Sequence, residues 1–408
     1  MSAAKRRVVV IGAGAGGLGV AANLARDPGF DVIVVDPAGH HYYQPLWTLV
    51  GGGVFPKESS RRPMQEVMPP GVRWVRAEAS EFRPEENTVL TRDGESLAYD
   101  ALVVAPGIQI NWGQIAGLKE NLGRNGICSN YSFESVNSTW ETLQRFRGGR
   151  ALFTFPTTPI KCAGAPLKIM FLAEDHLRRT GARAASEIVY MCGVASIFRA
   201  PKYAAELVKI AAARDIAVNY KQDLVALRAE QKEAVFRDTE SGAERVEQYD
   251  MIHVAPPMGP PDVTRQSPLA DAAGWVEVDK RTLQHLRYPN VFSLGDASNL
   301  PTSKTAAAIR AQRPVLVENL RAVLAGRAPS AVYDGYTSCP LITGYGRLML
   351  AEFDYDLQPC ETFPFDQGRE RRSMYLLKKY VMPVIYWQGL VRGRKWPWPV
   401  PESAPRHA

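Results

Sequence analysis

Short β-branched apolar runs alternate along this chain with longer, Ala-rich stretches of helical period. Residues 8–11 (VVVI) predict a buried strand, followed by a glycine-rich turn at 12–17 (GAGAGG), a helix, and a second strand over 31–35 that ends at Asp36. Further short strands are predicted within 72–82, at 88–90 and at 101–104, the last running into the turn Ala105-Pro106-Gly107. The alternation resumes beyond residue 115, with strand 151–155, a proline-containing loop to Pro166, helix 167–179 and strand 188–191. Helix 202–214 and strands near 218–220, 235–237 and 251–254 follow, and the Pro-rich run 256–261 reads as the exit from this second unit. A buried strand over 291–296 and a helix over 302–324 complete the pattern. Strands alternating with helices predict an α/β fold built of two Rossmann-like units. The expected division is a first, discontinuous unit over 1–115 and 285–335, a second over 116–284, and a C-terminal region over 336–408.

Composition adds exclusions. With 46% hydrophobic and 22% charged residues among 408, the chain has globular composition and is not a disordered one. Its longest strongly apolar runs are about a dozen residues, short of the ~20 a spanning helix needs. No signal peptide is expected, because Lys5-Arg6-Arg7 runs directly into the first strand. Five cysteines are too sparse for a disulfide-stapled fold, and six scattered histidines without H-x-x-x-H or C-x-x-C spacing argue against a metal site.

Charge matters by position. The net charge is +7, and residues 371–408 alone carry eight Lys+Arg against one acid, Glu402. Removing these from 49 and 42 leaves 41 of each in the preceding 370 residues. The basic tail also holds Met374, Leu377, Val381 and Ile385 at roughly helical spacing, broken at Pro383, with Tyr380, Tyr386, Trp387, Trp396 and Trp398 as candidate interfacial aromatics. Apolar and aromatic side chains interleaved with cations suit a monotopic membrane contact through 371–400 and not nucleic acid.

Gly12-x-Gly14-x-x-Gly17 sits between a strand and a helix, with Asp36 at the end of the next strand. Gly12 permits the tight turn, Gly14 lets the backbone approach a pyrophosphate at the helix N-terminus, and Gly17 allows close packing of helix on strand. Asp36 is placed to accept from ribose hydroxyls. The strand ending at Gly295-Asp296 is the complementary half of an FAD site, with Asp296 on the ribityl chain. Thr302 or Ser303 is expected to cap the next helix, and Lys304 to point at the flavin pyrimidine.

The second unit carries no such glycine fingerprint. Its first strand is followed by a loop with Pro156, Pro159 and Pro166 and with Cys162 where a phosphate cradle would stand, which argues against NADH and for thiol chemistry. Cys162 and Cys339 both lie among turn residues expected to expose a thiol, with Lys161 positioned to favour the Cys162 thiolate. Cys128, Cys192 and Cys360 read as structural.

The segments 41–51 (HYYQPLWTLVG), 153–166 (FTFPTTPIKCAGAP), 249–262 (YDMIHVAPPMGPPD), 295–308 (GDASNLPTSKTAAA), 333–344 (YDGYTSCPLITG) and 363–367 (FPFDQ) resemble the sulfide:quinone oxidoreductase family, specifically its type II, mitochondrial-like branch. The resemblance implies an FAD enzyme in which Cys162 and Cys339 form a redox-active disulfide. Hydrogen sulfide leaves a persulfide on one cysteine, two electrons pass through FAD to a membrane quinone, and the sulfur goes to glutathione, sulfite, cyanide or a second sulfide. Cys339 is matched to the flavin-side thiolate and Cys162 to its partner, although the branches assign these roles differently. The implied FAD contacts are Gly12, Gly14, Ala15, Gly17, Asp36, Gln44, Ala79, Gly295, Asp296, Lys304 and Thr305, with Lys378 approaching from the C-terminal segment. Attachment to a bacterial cytoplasmic or mitochondrial inner membrane is implied, and a homo-oligomer is compatible. Two other readings stand beside this one: a type II NADH:quinone oxidoreductase, and a flavin-bound membrane scaffold without turnover.

Overall fold

The computed structural model describes residues 5–394. The chain opens with β1 (Arg6–Ile11), α1 (Ala15–Leu24), β2 (Phe30–Val35), β3 (Arg73–Val75) and β4 (Ala101–Val104). Val8, Val9 and Val10 are fully buried, because β1 lies between two parallel neighbours in a sheet covered on both faces, which calls for a continuous apolar run and not an alternating one. Residues 79–98 form an antiparallel meander beside this sheet.

A second unit follows with β5 (Gln109–Ile110), β6 (Ile127–Cys128), β7 (Gly149–Phe155), α2 (Ala165–Arg179), β8 (Ser186–Cys192), β9 (Ile216–Tyr220), β10 (Met251–His253) and β11 (Met258–Gly259). Its parallel sheet has the order β6-β10-β7-β8-β9 and its own meander over 222–248. The Pro-rich run at 256–261 is more than an exit: β11 pairs antiparallel with β5, so the outgoing and returning chains are zipped together.

The chain then returns to the first sheet. β12 (Val291–Ser293) lies parallel to β4, giving the order β12-β4-β1-β2-β3, and α3 (Ala306–Leu324) packs against α1. The helix cap differs from expectation. Thr305, and neither Thr302 nor Ser303, caps α3 by accepting from the Ala308 amide at 3.1 Å, while the Thr302 hydroxyl donates to the Gly335 carbonyl.

A hairpin of β13 (Thr337–Gly344) and β14 (Arg347–Phe353) spans both cores. Cys339, Leu341, Met349, Ala351 and Phe353 join the core of the second unit, whereas Ile342, Leu348 and Leu350 join that of the first. This is the two-residue alternation of a strand put to use on two sides at once.

The C-terminal segment begins with α4 (Arg372–Leu376) and continues through π-helical turns at Leu377–Val381 and Ile385–Leu390, either side of a short helical stretch that holds Pro383. Proline has no N–H to give to the helical ladder, and wider turns accommodate the gap. The changed register turns Tyr386 and Trp387 inward, where each is 5% exposed, so these two are core residues and not interfacial aromatics. Tyr380 remains exposed. Lys395, Trp396 and Trp398 lie outside the described residues. Among the described residues, no helix is long and apolar enough to cross a membrane.

A Cβ added at Gly17 would sit 1.8 Å from the Gly12 carbonyl oxygen, a contact with backbone that no rotamer change relieves. Gly17→Ala is therefore expected to destabilise the protein by about 3 kcal/mol or more, read as a lowered thermal midpoint relative to wild type.

Candidate active site

A cavity of about 470 Å³ runs between the two sheets and the C-terminal segment. At one end it is lined by Gly12, Ala13, Gly14, Ala15 and Gly16, the turn that opens α1. Gly12 adopts φ +94°, and a Cβ there would lie 2.3 Å from the Ala105 carbonyl oxygen. A Cβ on Gly14 would meet nothing within 4 Å, so the helix N-terminus faces open space. The Asp36 carboxylate accepts from the amides of Ala13 at 2.6 Å and Ala38 at 2.8 Å, and burial raises its pKa.

His41 ties this turn to the C-terminal segment. One ring nitrogen, Nδ1, lies 2.9 Å from the Ala13 carbonyl, and the other, Nε2, lies 2.7 Å from the Tyr386 hydroxyl. Burial lowers its pKa to about 4, so the ring is neutral at pH 7. A carbonyl can only accept, so Nδ1 carries the proton and Nε2 accepts from Tyr386.

At the other end stand the cysteines. Cys162 lies in the loop before α2, within one turn of that helix's N-terminus, and its amide donates to the Lys304 carbonyl at 2.9 Å. Cys339, fully buried, comes from β13, whose hairpin packs on α2. A Cβ on Gly164 would lie 2.6 Å from Leu341, which shows how closely the hairpin presses on this loop. Both thiols are free, and each acts directly on the protonation of the other. Strand β13 thus replaces the exposing turn expected around Cys339, and Cys162 alone of the pair lines the cavity.

The pair is polarised. The hydrogen bond from Cys339 holds the Cys162 thiol well below its ordinary pKa against the opposing effect of burial, and the charges of Lys168 and Lys378 add to it. The same hydrogen bond, with burial, pushes Cys339 up. Cys162 is the thiolate and Cys339 the donor. The cation beside Cys162 is Lys168, not Lys161: its Nζ donates to the sulfur at 3.1 Å, whereas the Lys161 ammonium lies 5.0 Å above the Trp47 ring.

Lys304 lines the cavity and is held locally. Its ammonium donates to the carbonyls of Asp296 at 2.7 Å and Ser298 at 3.1 Å and sits over Trp275, so it braces the Gly295–Ala297 turn. Lys378, buried in a π-helical turn, donates to the Pro45 carbonyl at 2.9 Å, and burial, with the charge of Lys168, brings its pKa down to about 7. Gln44, Gly295, Asp296, Lys304, Thr305 and Lys378 all line the cavity; Gly17 and Ala79 do not, Gly17 packing under the turn and Ala79 starting a strand of the first meander. Cys128 is buried in β6, with its thiol pushed up to about 12 by burial. Among the described residues, no cluster of three or more histidines, cysteines or acids could hold a metal ion.

These residues fit FAD. The Gly14 opening and the α1 N-terminus suit a pyrophosphate, Asp36 keeps lone pairs for ribose hydroxyls, and Asp296 and Lys378 reach the same cavity as the cysteine.

Residues 6–137 match the family described as pyridine nucleotide-disulphide oxidoreductase. The mitochondrial sulfide:quinone oxidoreductase of Mus musculus is 49% identical over 388 residues, covering 95% of this chain and 86% of that protein. The chain belongs to the sulfide:quinone oxidoreductase family. The sulfide:quinone oxidoreductase structure from Aquifex aeolicus superposes with a TM-score of 0.79 at 17% identity, covering 95% of this chain and 92% of that one. A chain in the mitochondrial ATP synthase structure of Tetrahymena thermophila gives 0.85 at 20% identity, covering 97% and 98%. Both structural likenesses show the fold alone.

Lys168 and His41 went unread in the sequence. The available signal for Lys168 is a lone cation in the first turn of a helix whose first eleven residues are all buried. Replacing it by Met should remove the charged hydrogen bond to Cys162 and raise that thiol's pKa. Iodoacetamide labelling of Cys162 at pH 7 should fall by about 10-fold, with the midpoint of its pH profile moved upward.

Proposed function

We propose that this chain oxidises hydrogen sulfide and passes the two electrons through FAD to a membrane quinone. The observation that carries the reading is a pair of interacting free thiols, one of them, Cys162, at the wall of a cavity whose far end is a glycine-lined helix N-terminus. The oxidised enzyme joins Cys162 to Cys339 as a disulfide. Hydrosulfide attacks the Cys339 sulfur, a new S–S bond forms there as a persulfide, and the old bond breaks with its electron pair on Cys162. Exchange is faster when the leaving thiolate is the better stabilised one, and the Lys168 ammonium stands 3.1 Å from the Cys162 sulfur. This assignment is opposite to the one carried over from the resemblance, and it puts the thiolate on the cysteine that lines the cavity. FAD, when bound, would supply the acceptor for the two electrons released as the Cys162–Cys339 bond re-forms, and the route from there to quinone. Lys168 holds the outgoing charge on Cys162, and the persulfide sulfur passes to a small nucleophile.

The C-terminal segment supports a membrane contact on a smaller surface than the sequence suggested. Leu376, Tyr380 and Val384 are exposed, with Leu377, Val381, Met382 and Ile385 half-buried beside them and Arg372, Arg392 and Arg394 exposed on the same segment. Its inner side, with Leu377, Lys378, Met382 and Ile385, lines the cavity. One thin wall therefore separates the apolar outer face from the site, the arrangement a bilayer-dissolved quinone requires.

Cys162→Ser and Cys339→Ser should each retain FAD and lower sulfide-dependent quinone reduction to below about 1%; turnover persisting in either variant refutes the mechanism. A Leu376→Glu/Val384→Glu double variant should lose co-flotation with anionic liposomes while still reducing a water-soluble short-chain quinone. Undiminished flotation would discard the docking face.

A further inference from the structure

Most large buried hydroxyls around this site are engaged. Tyr336 donates to Glu352, Tyr333 to the Tyr336 carbonyl, and Tyr386 to His41. Tyr131 is different. It is 3% exposed, lines the cavity, and its hydroxyl is enclosed without a hydrogen-bond partner among the described residues. An unpaired buried hydroxyl is destabilising, a cost that a phenylalanine of the same shape would not incur.

The position of the hydroxyl gives it a use. The Tyr131 ring packs with Ile160, Ala165, Ala255 and Met258, and Cys162 packs on the same cluster. Tyr131 and Cys162 both line the cavity from this cluster, and burial together with a charge on Cys162 keeps the hydroxyl protonated. It is a donor with nothing to donate to, on a side chain that shares its cluster with the residue whose sulfur becomes an anion. In the resting dithiol, Cys162 already has two donors, the Cys339 thiol and Lys168. When Cys339 becomes a persulfide its S–H is gone, and Cys162 loses one of them.

Building on the sulfide-oxidising reading above, we propose that Tyr131 is a catalytic residue whose hydroxyl donates a hydrogen bond to the Cys162 sulfur as that sulfur leaves the disulfide. The bonds and electrons are those of the exchange itself: hydrosulfide gains an S–S bond to Cys339, the Cys162–Cys339 bond breaks, and its pair stays on Cys162. Tyr131 keeps its proton throughout. A donor fixed in advance where charge develops, in a site shielded from water, lowers the barrier without reorganising.

The test is anaerobic stopped-flow mixing of the FAD-loaded full chain with sodium sulfide, following flavin bleaching. Tyr131→Phe should slow bleaching by about 10- to 100-fold, the worth of one hydrogen bond to a charged group. FAD content should be unchanged and the thermal midpoint equal or higher, since the orphaned hydroxyl is removed. The pH profile of Cys162 alkylation in the reduced resting enzyme should also stay as in wild type, because Tyr131 does not donate in that state. Tyr190→Phe, which removes a second orphaned buried hydroxyl that does not line the cavity, should bleach at the wild-type rate. Equal rates for Tyr131→Phe and wild type, or equal slowing by Tyr190→Phe, overturn the proposal while leaving the oxidoreductase reading intact. A wild-type protein that sulfide does not bleach overturns that reading itself.

Discussion

The site depends on one packing constraint, that the 337–353 hairpin must fill two cores at once. Its alternate side chains are claimed by different halves of the molecule, so it can neither slide by one residue nor lift from either half without exposing a full row of apolar groups. That register sets Cys339 against the start of α2. The α2 helix in turn places Lys168 one turn below Cys162, and the Cys162 amide is held by the Lys304 carbonyl of the first unit. Three elements from distant parts of the chain are thus locked onto two sulfur atoms by apolar packing, with polar contacts adding direction.

Around these sulfurs the protein buries charges that water would otherwise stabilise. Lys161, Lys304 and Lys378 all have pKa values pulled down by desolvation, to about 8, 8 and 7. Each is anchored locally: Lys304 and Lys378 on main-chain carbonyls, Lys161 over an indole ring. The anions are arranged the same way, Asp36 on two amides and Glu352 among Tyr336, Thr362 and Gln367. Cys162 is the place where cationic excess is answered by an ionisable sulfur and not by a carboxylate. Its charge favours the protonated form of Lys378, and Lys378 favours the thiolate. Each favours the charged form of the other, while burial still brings Lys378 down to about 7.

Much of this was legible in the sequence, in proportion to how local the cause was. The β1-α1-β2 unit could be read directly because an apolar run, a glycine turn and a terminal acid lie within about thirty residues. The meeting of Cys162 and Cys339 was not legible from spacing, since two cores and a hairpin intervene; only the likeness of whole segments suggested it. Lys161 was the natural partner for Cys162 because it is adjacent in sequence, but the backbone turns at Cys162 into the left-handed region (φ +54°), and Lys168 returns to the sulfur along the helix. In the segment TSKT three residues could cap α3, and the choice of Thr305 rests on where the preceding loop docks. The tail misled for a related reason. Aromatic and apolar residues interleaved with cations look alike whether they meet lipid or a core, and the π-helical turns shift the period that would have told the two faces apart.

The late return of β12 has a consequence for how the molecule comes into being. β4 is flanked by β1 on one side only until β12 arrives, and 189 residues separate Val104 from Ser293, the pair that closes the sheet. At ordinary rates of synthesis that gap lasts on the order of 10–40 s. Throughout it, a fully buried valine-rich strand presents an unpaired edge, the kind of surface that recruits other chains. The sheet of the second unit, whose strands all lie within the intervening segment, is available to pair first and bring the ends of the gap together. The nucleotide-binding sheet thus closes late although it is begun first, and neither core is complete until the 337–353 hairpin has been added.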